Sequence, residues 1–195
     1  MLYQIRVDLD EDLLDAWRSG DKAAGSQLLQ RYFESVYRFF RTKLGDDVDD
    51  LVQQCFLGCV EGRDRVTAGE FRAYLFGIAR NRLIDRLRLR QPVELDEECI
   101  AHCKTSPSQT VAKNQEQQLL MLAMQQIPIN AQIVLELTYW EGLSGRELAQ
   151  VLGVSEHTIR SRLARARDAL RGKLAEIAPS AAAAESSWRA LETAA

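Results

Sequence analysis

The spacing of apolar residues predicts a chain built from helices alone. Apolar side chains recur every three or four residues along most of the sequence, and no segment alternates between apolar and polar residues over the length of a strand. Glycines, prolines and capping residues mark where helices begin and end. With their caps included, the helices are predicted at 9–18, 21–44, 47–61, 70–90, 113–126, 128–141, 144–152 and 155–177.

A stretch without helical period divides this pattern and predicts two small helical domains joined by a flexible linker. The stretch contains two prolines and several serines and threonines. The first domain, the linker, the second domain and an alanine-rich tail are predicted at 1–91, 92–112, 113–177 and 178–195. The tail carries Trp188, and the sequence leaves open whether this side chain is a loose end or docks on this chain or a partner.

Positive charge is concentrated in two segments, although the net charge of the chain is −3. Residues 71–90 hold six arginines and one aspartate, and residues 159–173 hold five arginines and one lysine against one aspartate. Such arginine-rich helices are typical of nucleic-acid contact. No apolar run approaches the ~20 residues that span a bilayer, and the N-terminus lacks the apolar block of a signal peptide. We therefore expect a cytoplasmic protein without membrane contact.

Residues 144–167 have the form of a helix-turn-helix. Gly153 provides the tight turn, Val154 fills the joint, and Ser155 caps the second helix. Helical geometry turns an apolar stripe of that helix inward and polar residues outward, namely His157, Thr158, Ser161, Arg162 and Arg165. We expect the outward residues to read base edges, and the flanking Arg160, Arg167 and Arg171 to contact phosphates. A helical hairpin with a solvated arginine face is the alternative.

The helix predicted at 70–90 has two apolar faces with a polar face between them. That polar face carries Tyr74, Asn81, Asp85 and Arg88. An aromatic ring, an amide and an arginine along one line are suited to stack on unpaired bases and to hydrogen-bond with them. The alternative is an ordinary surface helix.

Together these segments resemble the extracytoplasmic-function sigma factors of bacteria, a group of the sigma-70 family. Asp50-Leu-Val-Gln-Gln-Cys-Phe-Leu57 and the stretch from Phe71 to Arg88 resemble the second conserved region of that group. The helix-turn-helix, preceded by Tyr139-Trp-Glu-Gly-Leu-Ser144, resembles the fourth region. The similarity extends over about residues 10–175 in the order of the family, and Tyr74 stands where the family commonly has tryptophan.

The resemblance implies a subunit of RNA polymerase rather than an enzyme, without a cofactor or metal of its own. Its partners would be the β′ clamp helices and β flap of core polymerase, and promoter DNA read as single strand at −10 and as duplex at −35. The implied polymerase contacts are Asp49, Asp50, Gln53 and Leu57. The implied −10 contacts are Tyr74, Arg80, Asn81, Arg82, Asp85, Arg86 and Arg88. The implied −35 contacts are Ser155, His157, Thr158, Arg160, Ser161, Arg162 and Arg165.

Two other hypotheses stay open on the sequence. One is a helix-turn-helix regulator that binds duplex operators without polymerase, and the other is an adaptor whose arginines contact proteins. The operator binder has no use for the segment from Asp50 to Leu57 or for the polar face that carries Tyr74 and Asn81. The sequence also leaves open whether an anti-sigma protein, another regulator or the tail controls activity.

Two groups of cysteines receive different interpretations. Cys55 and Cys59 fall on an apolar stripe, so we expect small core side chains rather than reactive thiols. Cys99, His102 and Cys103 lie close together in the linker, where one helical turn would gather them around a metal ion. The sequence leaves this site open, and we expect no bound metal.

Overall fold

The computed structural model describes residues 2–67, 69–90 and 115–193. These ranges contain nine α-helices, one short 3₁₀ turn at Arg63–Arg65 and no strand, which confirms the predicted all-α class. The helices are α1 Leu2–Arg18, α2 Lys22–Leu44, α3 Asp49–Gly62, α4 Phe71–Arg90, α5 Gln115–Met124, α6 Ile129–Tyr139, α7 Gly145–Leu152, α8 Glu156–Ile177 and α9 Ala181–Glu192. The linker predicted at 92–112 lies outside the described residues.

Helix ends follow the predicted capping residues. The Asp21 carboxylate accepts hydrogen bonds from the first backbone N–H groups of α2, at 2.8 and 3.1 Å. Ser144 and Glu147 form a reciprocal capping box at the start of α7. Gly153 ends α7 in the left-handed conformation at φ 64°, which favours glycine. The largest difference is at α1, which begins at Leu2 rather than at residue 9.

Aromatic rings fill the core of the N-terminal half. Phe39 contacts both Phe40 and Phe76 edge-on, with ring centroids 5.6 and 5.9 Å apart. Helical spacing predicts an apolar stripe on α2 formed by Leu28, Leu29, Tyr32, Phe33, Val36, Tyr37, Phe40 and Leu44. Phe39 is buried although it lies outside this stripe, because Phe76 of α4 packs against it. Phe33, predicted to be in the stripe, is instead 45% exposed. The predicted stripe is therefore confirmed at Leu28, Tyr32, Val36 and Phe40, and the buried side of α2 also extends to Phe39 and Lys43.

Residues 181–192 of the predicted alanine-rich tail form helix α9. Ser180 caps this helix, accepting a hydrogen bond from the backbone N–H of Ala183 at 3.2 Å. Trp188 and Leu191 are buried in an apolar cluster with residues of α5, α6 and α8. Trp188 thus docks on its own chain. Alanine favours helix, but two large apolar residues are too few to show a stripe in the sequence.

The two halves of the chain pack against each other, with α4 against α7 and one apolar core continuing from the first half into the second. The Lys43 ammonium pairs with the Glu136 carboxylate, and both side chains are almost fully buried. Lys43 also donates to the carbonyl of Phe39 at 2.8 Å, and Thr42 donates to Glu136 at 3.0 Å. The sequence pattern indicated a division into domains but not this contact between them.

A second set of polar contacts joins α4 to the start of α7. Arg72 donates to the Glu147 carboxylate at 2.9 Å and to the carbonyl of Glu141 at 3.1 Å. Burial alone would raise the pKa of Glu147, but hydrogen bonds from the Ser144 backbone N–H and from Arg72 hold it below its usual value. Glu147 therefore stays ionised at neutral pH while it caps α7 and binds Arg72.

Removing one member of the buried ion pair should drive the two halves apart. Burial lowers the pKa of Lys43 and raises that of Glu136, because each charged group has lost hydration. Breaking such a pair inside a protein costs about 3–5 kcal/mol. In Glu136→Ala, the Lys43 ammonium regains water only if the halves separate, so we expect a larger radius of gyration in small-angle X-ray scattering. The pair Lys43→Met with Glu136→Leu should stay compact, and an unchanged profile for Glu136→Ala would contradict this account.

The stabilising effect of Glu147 should depend on pH. Its folded-state pKa is lowered, so its contribution to stability is present above the ordinary carboxyl pKa of 4.5 and is lost as pH falls through the lower folded value. We expect Glu147→Gln to reduce the free energy of unfolding by about 1.5–3 kcal/mol at pH 7, with a difference that shrinks in acid. Urea titrations at several pH values measure this, and Glu176→Gln, in an exposed pair with Lys173, is the control. A pH-independent difference would refute the role of the charge.

Candidate nucleic-acid interface

The polar face of α4 carries the aromatic ring and the amide that the sequence singled out. Tyr74 is half-buried, and a side chain at Gly62 would place its Cβ 1.7 Å from the Tyr74 hydroxyl. Only glycine at residue 62 allows this position of the ring. Burial raises the pKa of Tyr74, so its phenol stays neutral and can donate a hydrogen bond. Asn81 is exposed two helical turns further on, about 10 Å along the axis and on the same face.

The loop before α4 is held by α1. Arg18 donates from Nε to the carbonyl of Arg63 at 3.1 Å, and its Nη2 donates to the same carbonyl at 3.0 Å and to that of Val66. The Arg63 guanidinium lies over the Trp17 ring, 5.6 Å from its centroid. Arg18 is therefore a positioning residue of this site that the sequence did not reveal, because its partners are backbone carbonyls more than forty residues away.

The basic residues of α4 have different environments. Arg82, Asp85 and Arg88 are exposed, and Arg80 is half-buried. Arg86 pairs with Asp50 of α3, so a predicted DNA contact and a predicted polymerase contact bind each other in this structure. Arg72 belongs to the contact between the halves rather than to the exposed face. The charge of α4 is thus only partly available to an external anion.

The exposed side of α3 borders an apolar groove. Asp49, Gln53 and Leu57 are exposed as predicted, and all three line this groove. Its wall includes the stacked rings of Phe33 and Phe56, whose centroids are 6.2 Å apart. Leu57 is 55% exposed and Phe33 is 45% exposed. Two large apolar side chains are thus exposed in one groove.

The helix-turn-helix forms as predicted from α7, the turn at Gly153 and α8. Several polar groups at the start of α8 are already engaged within the helix. The Ser155 hydroxyl caps the Thr158 N–H at 3.2 Å and also bonds its hydroxyl at 2.9 Å, and Ser161 donates to the Thr158 carbonyl. His157 is exposed on the same first turns. The structure thus gives Ser155 a capping role, and leaves the His157 side chain accessible.

The arginines of α8 divide between solvent and the protein itself. Arg160 and Arg165 are exposed, and Arg162 is half-buried. The two arginines further along, for which phosphate contacts are expected, contact aromatic residues of the chain, and Arg171 is nevertheless exposed. Arg167 donates to the Tyr139 hydroxyl at 2.8 Å, and Arg171 lies 4.2 Å from the centroid of the Trp188 ring.

The cysteines that the structure describes belong to the core. Cys55 and Cys59 are fully buried, and burial raises the pKa of both thiols, that of Cys59 to about 12. The predicted candidates Cys99, His102 and Cys103 lie outside the described residues. Within those residues, no group of side chains is arranged to hold a metal ion. None of the described helices has the length and hydropathy needed to cross a bilayer.

Two family models match the chain in the order that the sequence indicated. The model for sigma-70 region 2 matches residues 28–92, and the model for sigma-70 region 4 matches residues 117–170. The first match contains α3 and α4, and the second contains the helix-turn-helix. Together they cover more than half of the chain.

Individual sigma factors are also similar to the chain over most of its length. The sigma factor NccH of Alcaligenes xylosoxydans is 29% identical over 170 residues, which is 82% of this chain and 91% of NccH. The ECF sigma factor SigM of Mycobacterium tuberculosis is 29% identical over 169 residues, or 81% of each chain. SigM of Bacillus subtilis is 28% identical over 149 residues, covering 74% of this chain and 91% of that one.

Solved structures show the same architecture. CnrH, in complex with the cytosolic domain of CnrY, superposes with a TM-score of 0.66 at 26% identity, covering 87% of this chain and 99% of CnrH. The sigma factor RpoE of Bartonella quintana, in complex with the anti-sigma factor NepR, has the same fold at a TM-score of 0.62 and 23% identity, over 78% and 97% of the two chains. The chain therefore belongs to the extracytoplasmic-function group of the sigma-70 family of RNA polymerase sigma factors.

Proposed function

We propose that this sigma factor binds core polymerase through α3, holds the −10 strand on α4 and reads the −35 duplex with α8. The observation that carries the proposal is the polar face of α4, where Tyr74 lies against Gly62 and Asn81 is exposed beside it. A regulator that binds only duplex operators needs the helix-turn-helix alone. It has no use for a face suited to unpaired bases on a separate helix.

The −10 role follows from what unpaired bases require. A separated strand offers ring faces for stacking and base edges for hydrogen bonds, and Tyr74 and Asn81 supply one group for each. Arg18 holds the carbonyls of Arg63 and Val66, so this part of the loop is already positioned when a strand arrives. Arg80, Arg82, Arg86 and Arg88 supply charge for the phosphates, and Asp85 lies among them.

The polymerase role follows from the groove along α3. Its exposed apolar walls need a protein partner, while Asp49 and Gln53 at the rim supply polar contacts. Asp50 adds a link between the two roles, because it pairs with Arg86 of α4. We propose that binding of polymerase at Asp50 releases Arg86 for DNA.

The −35 role follows from the exposed start of α8. His157, Arg160 and Arg165 are exposed there, with Arg162 half-buried between them, in the half of a recognition helix that enters a major groove. Thr158 and Ser161 lie on the same turns and bond each other within the helix. We propose direct base contacts for His157 and Arg162, and phosphate contacts for Arg160 and Arg165.

The remaining parts of the proposal concern setting and control. Bond formation belongs to the polymerase, so this chain acts without catalysis of its own and works in the cytoplasm, where transcription takes place. The structures of CnrH with CnrY and of RpoE with NepR are complexes with partner proteins. We propose that an anti-sigma protein also binds this chain.

Polymerase binding should fail when the groove on α3 is altered. We expect Gln53→Ala with Leu57→Ala to weaken the affinity for core polymerase at least tenfold, since exposed anchors in a groove dominate binding energy. The melting temperature should stay the same, because surface changes cost under about 0.5 kcal/mol. Leu9→Ala is the control, as this leucine is similarly exposed but lies on α1. Equal core affinity of the double variant and the wild type would remove the groove from the interface.

Changes on α4 and α8 should impair different steps of initiation. We expect Asn81→Ala to reduce transcription from a duplex promoter, with partial rescue by a template melted at −10, and to leave binding of a −35 duplex unchanged. Arg162→Ala should instead weaken binding of the −35 duplex, with a loss of about 1–3 kcal/mol in discrimination at one base pair. Abortive transcription assays and duplex titrations separate the two. If Asn81→Ala retains full activity on duplex promoters, the −10 assignment fails.

A further inference from the structure

Helix α1 lies alongside the loop before α4 and meets it near both ends. At the end that follows α3, Arg18 donates hydrogen bonds to the carbonyls of Arg63 and Val66. At the other end, a side chain at Gly69 would place its Cβ 3.0 Å from the Glu11 carboxylate. Glu11 and Arg18 are two helical turns apart, so both project from the same face of α1. One helix thus braces the loop at two points.

Helix α1 is itself fixed on α2. A methyl group at Gly25 would lie 2.5 Å from the Trp17 ring, so only glycine at that position allows the two helices to meet there. The buried Asp10 carboxylate accepts hydrogen bonds from Arg31 and from the Tyr32 hydroxyl. Leaving a buried carboxylate without partners is costly, so these contacts also resist any sliding of α1 along α2. The points at which α1 meets the loop are therefore fixed relative to the core.

Between these two points the loop presents polar side chains to solvent beside the aromatic ring of α4. Asp64, Arg65 and Thr67 are exposed, whereas the side chain of Val66 is buried among them. Burial raises the pKa of the Tyr74 phenol, and the nearby positive charge of Arg65 opposes that shift. The loop and the ring are thus neighbours, and a base stacked on Tyr74 would have the exposed groups of the loop at its edge.

A fixed loop and a mobile loop differ in selectivity more than in affinity. Surfaces built from flexible loops rearrange to fit several ligands, which keeps binding but loses discrimination. Groups that read one base edge have to be held in place by the residues behind them. The positive charges that attract the strand backbone lie on α4, outside the loop. A brace on the loop therefore acts on the choice of base.

We propose that α1 sets the base preference at the −10 element, with Arg18 as the positioning residue that holds the loop for one unpaired nucleotide. This inference rests on the proposed function, because it takes the polar face of α4 as the place where the −10 strand lies. Arg18 itself acts through the loop, whose exposed side chains meet the base. Helix α1 lies outside both segments that the family models match, so this role adds an element to those segments.

Base preference is measured with holoenzyme reconstituted from core polymerase and the full-length chain. The probes are single-stranded oligonucleotides that carry a −10 sequence selected with the wild-type holoenzyme, with each position in turn changed to the other three bases. We expect Arg18→Ala to reduce the discrimination between bases about tenfold at one position and to leave it unchanged elsewhere. Binding of a −35 duplex should stay the same. Asp15→Ala is the matched control, because its exposed carboxylate pairs with Arg18 at 3.3 Å on the same helix.

A change at the other end of the loop tests the same brace without altering Arg18. Gly69 has a φ of 73°, so an alanine there is strained and also presses on Glu11. We expect Gly69→Ala to reduce discrimination at the same position as Arg18→Ala. Gly45→Ala is the matched control, since Gly45 has a φ of 87° and open space around it at the end of α2. Circular dichroism reports whether each variant is folded, and if Arg18→Ala is unfolded, Gly69→Ala decides.

A loss of affinity by the same factor for every oligonucleotide would mean that Arg18 only stabilises the fold, and the inference would be overturned. Wild-type discrimination in the folded variants also overturns it. The proposed function stands in both cases if Asn81→Ala weakens binding of the same strands. If Asn81→Ala and the wild type bind them equally, the −10 role of α4 fails, and the inference fails with it.

Discussion

The contact between the two halves of the chain depends on charged groups that have left water together. Lys43 and Glu136 are both buried, and each would carry a large hydration penalty without the other. When the halves separate, both groups regain water, so the open state carries no stranded charge. A pair of leucines at the same place would hold the halves closed, because apolar surface gains nothing from water. A paired charge therefore gives a closed state that is specific and still able to open.

Opening is required by the proposed function. The groups suited to a −10 strand lie on α4, and those suited to a −35 duplex lie on α8. Two such elements are separated by roughly 25 base pairs, or about 85 Å along B-form DNA at ~3.4 Å per base pair. The linker predicted at 92–112 would span about 70 Å if fully extended, at ~3.4 Å per residue. If α4 and α8 contact the two elements as proposed, the halves have to move apart, and that movement breaks the contacts of Lys43 and Arg72.

Local signals predicted most of the fold, and contacts distant in sequence account for the differences. Asp21, Ser144 and Gly153 act within a few residues of themselves, so their caps were readable from the sequence. The clamp of Arg18 on the loop before α4 was not, since an arginine at a helix end has many possible acceptors. The position of Tyr74 against Gly62 likewise depends on how α3 and α4 pack. The candidate site was thus predicted as a set of residues, but its rigid support was not.

The arginines of α8 show why charge density alone overstates a nucleic-acid surface. The segment reads as one basic cluster, yet Arg167 is bonded to Tyr139 and Arg171 lies over Trp188. Both contacts are on the side of α8 that α6 and α9 cover. Arg160 and Arg165 are instead exposed in the first half of the helix, the half that a recognition helix directs into a major groove. The same division gives α8 two surfaces along its length, one suited to a duplex and one that packs against α5 and α9.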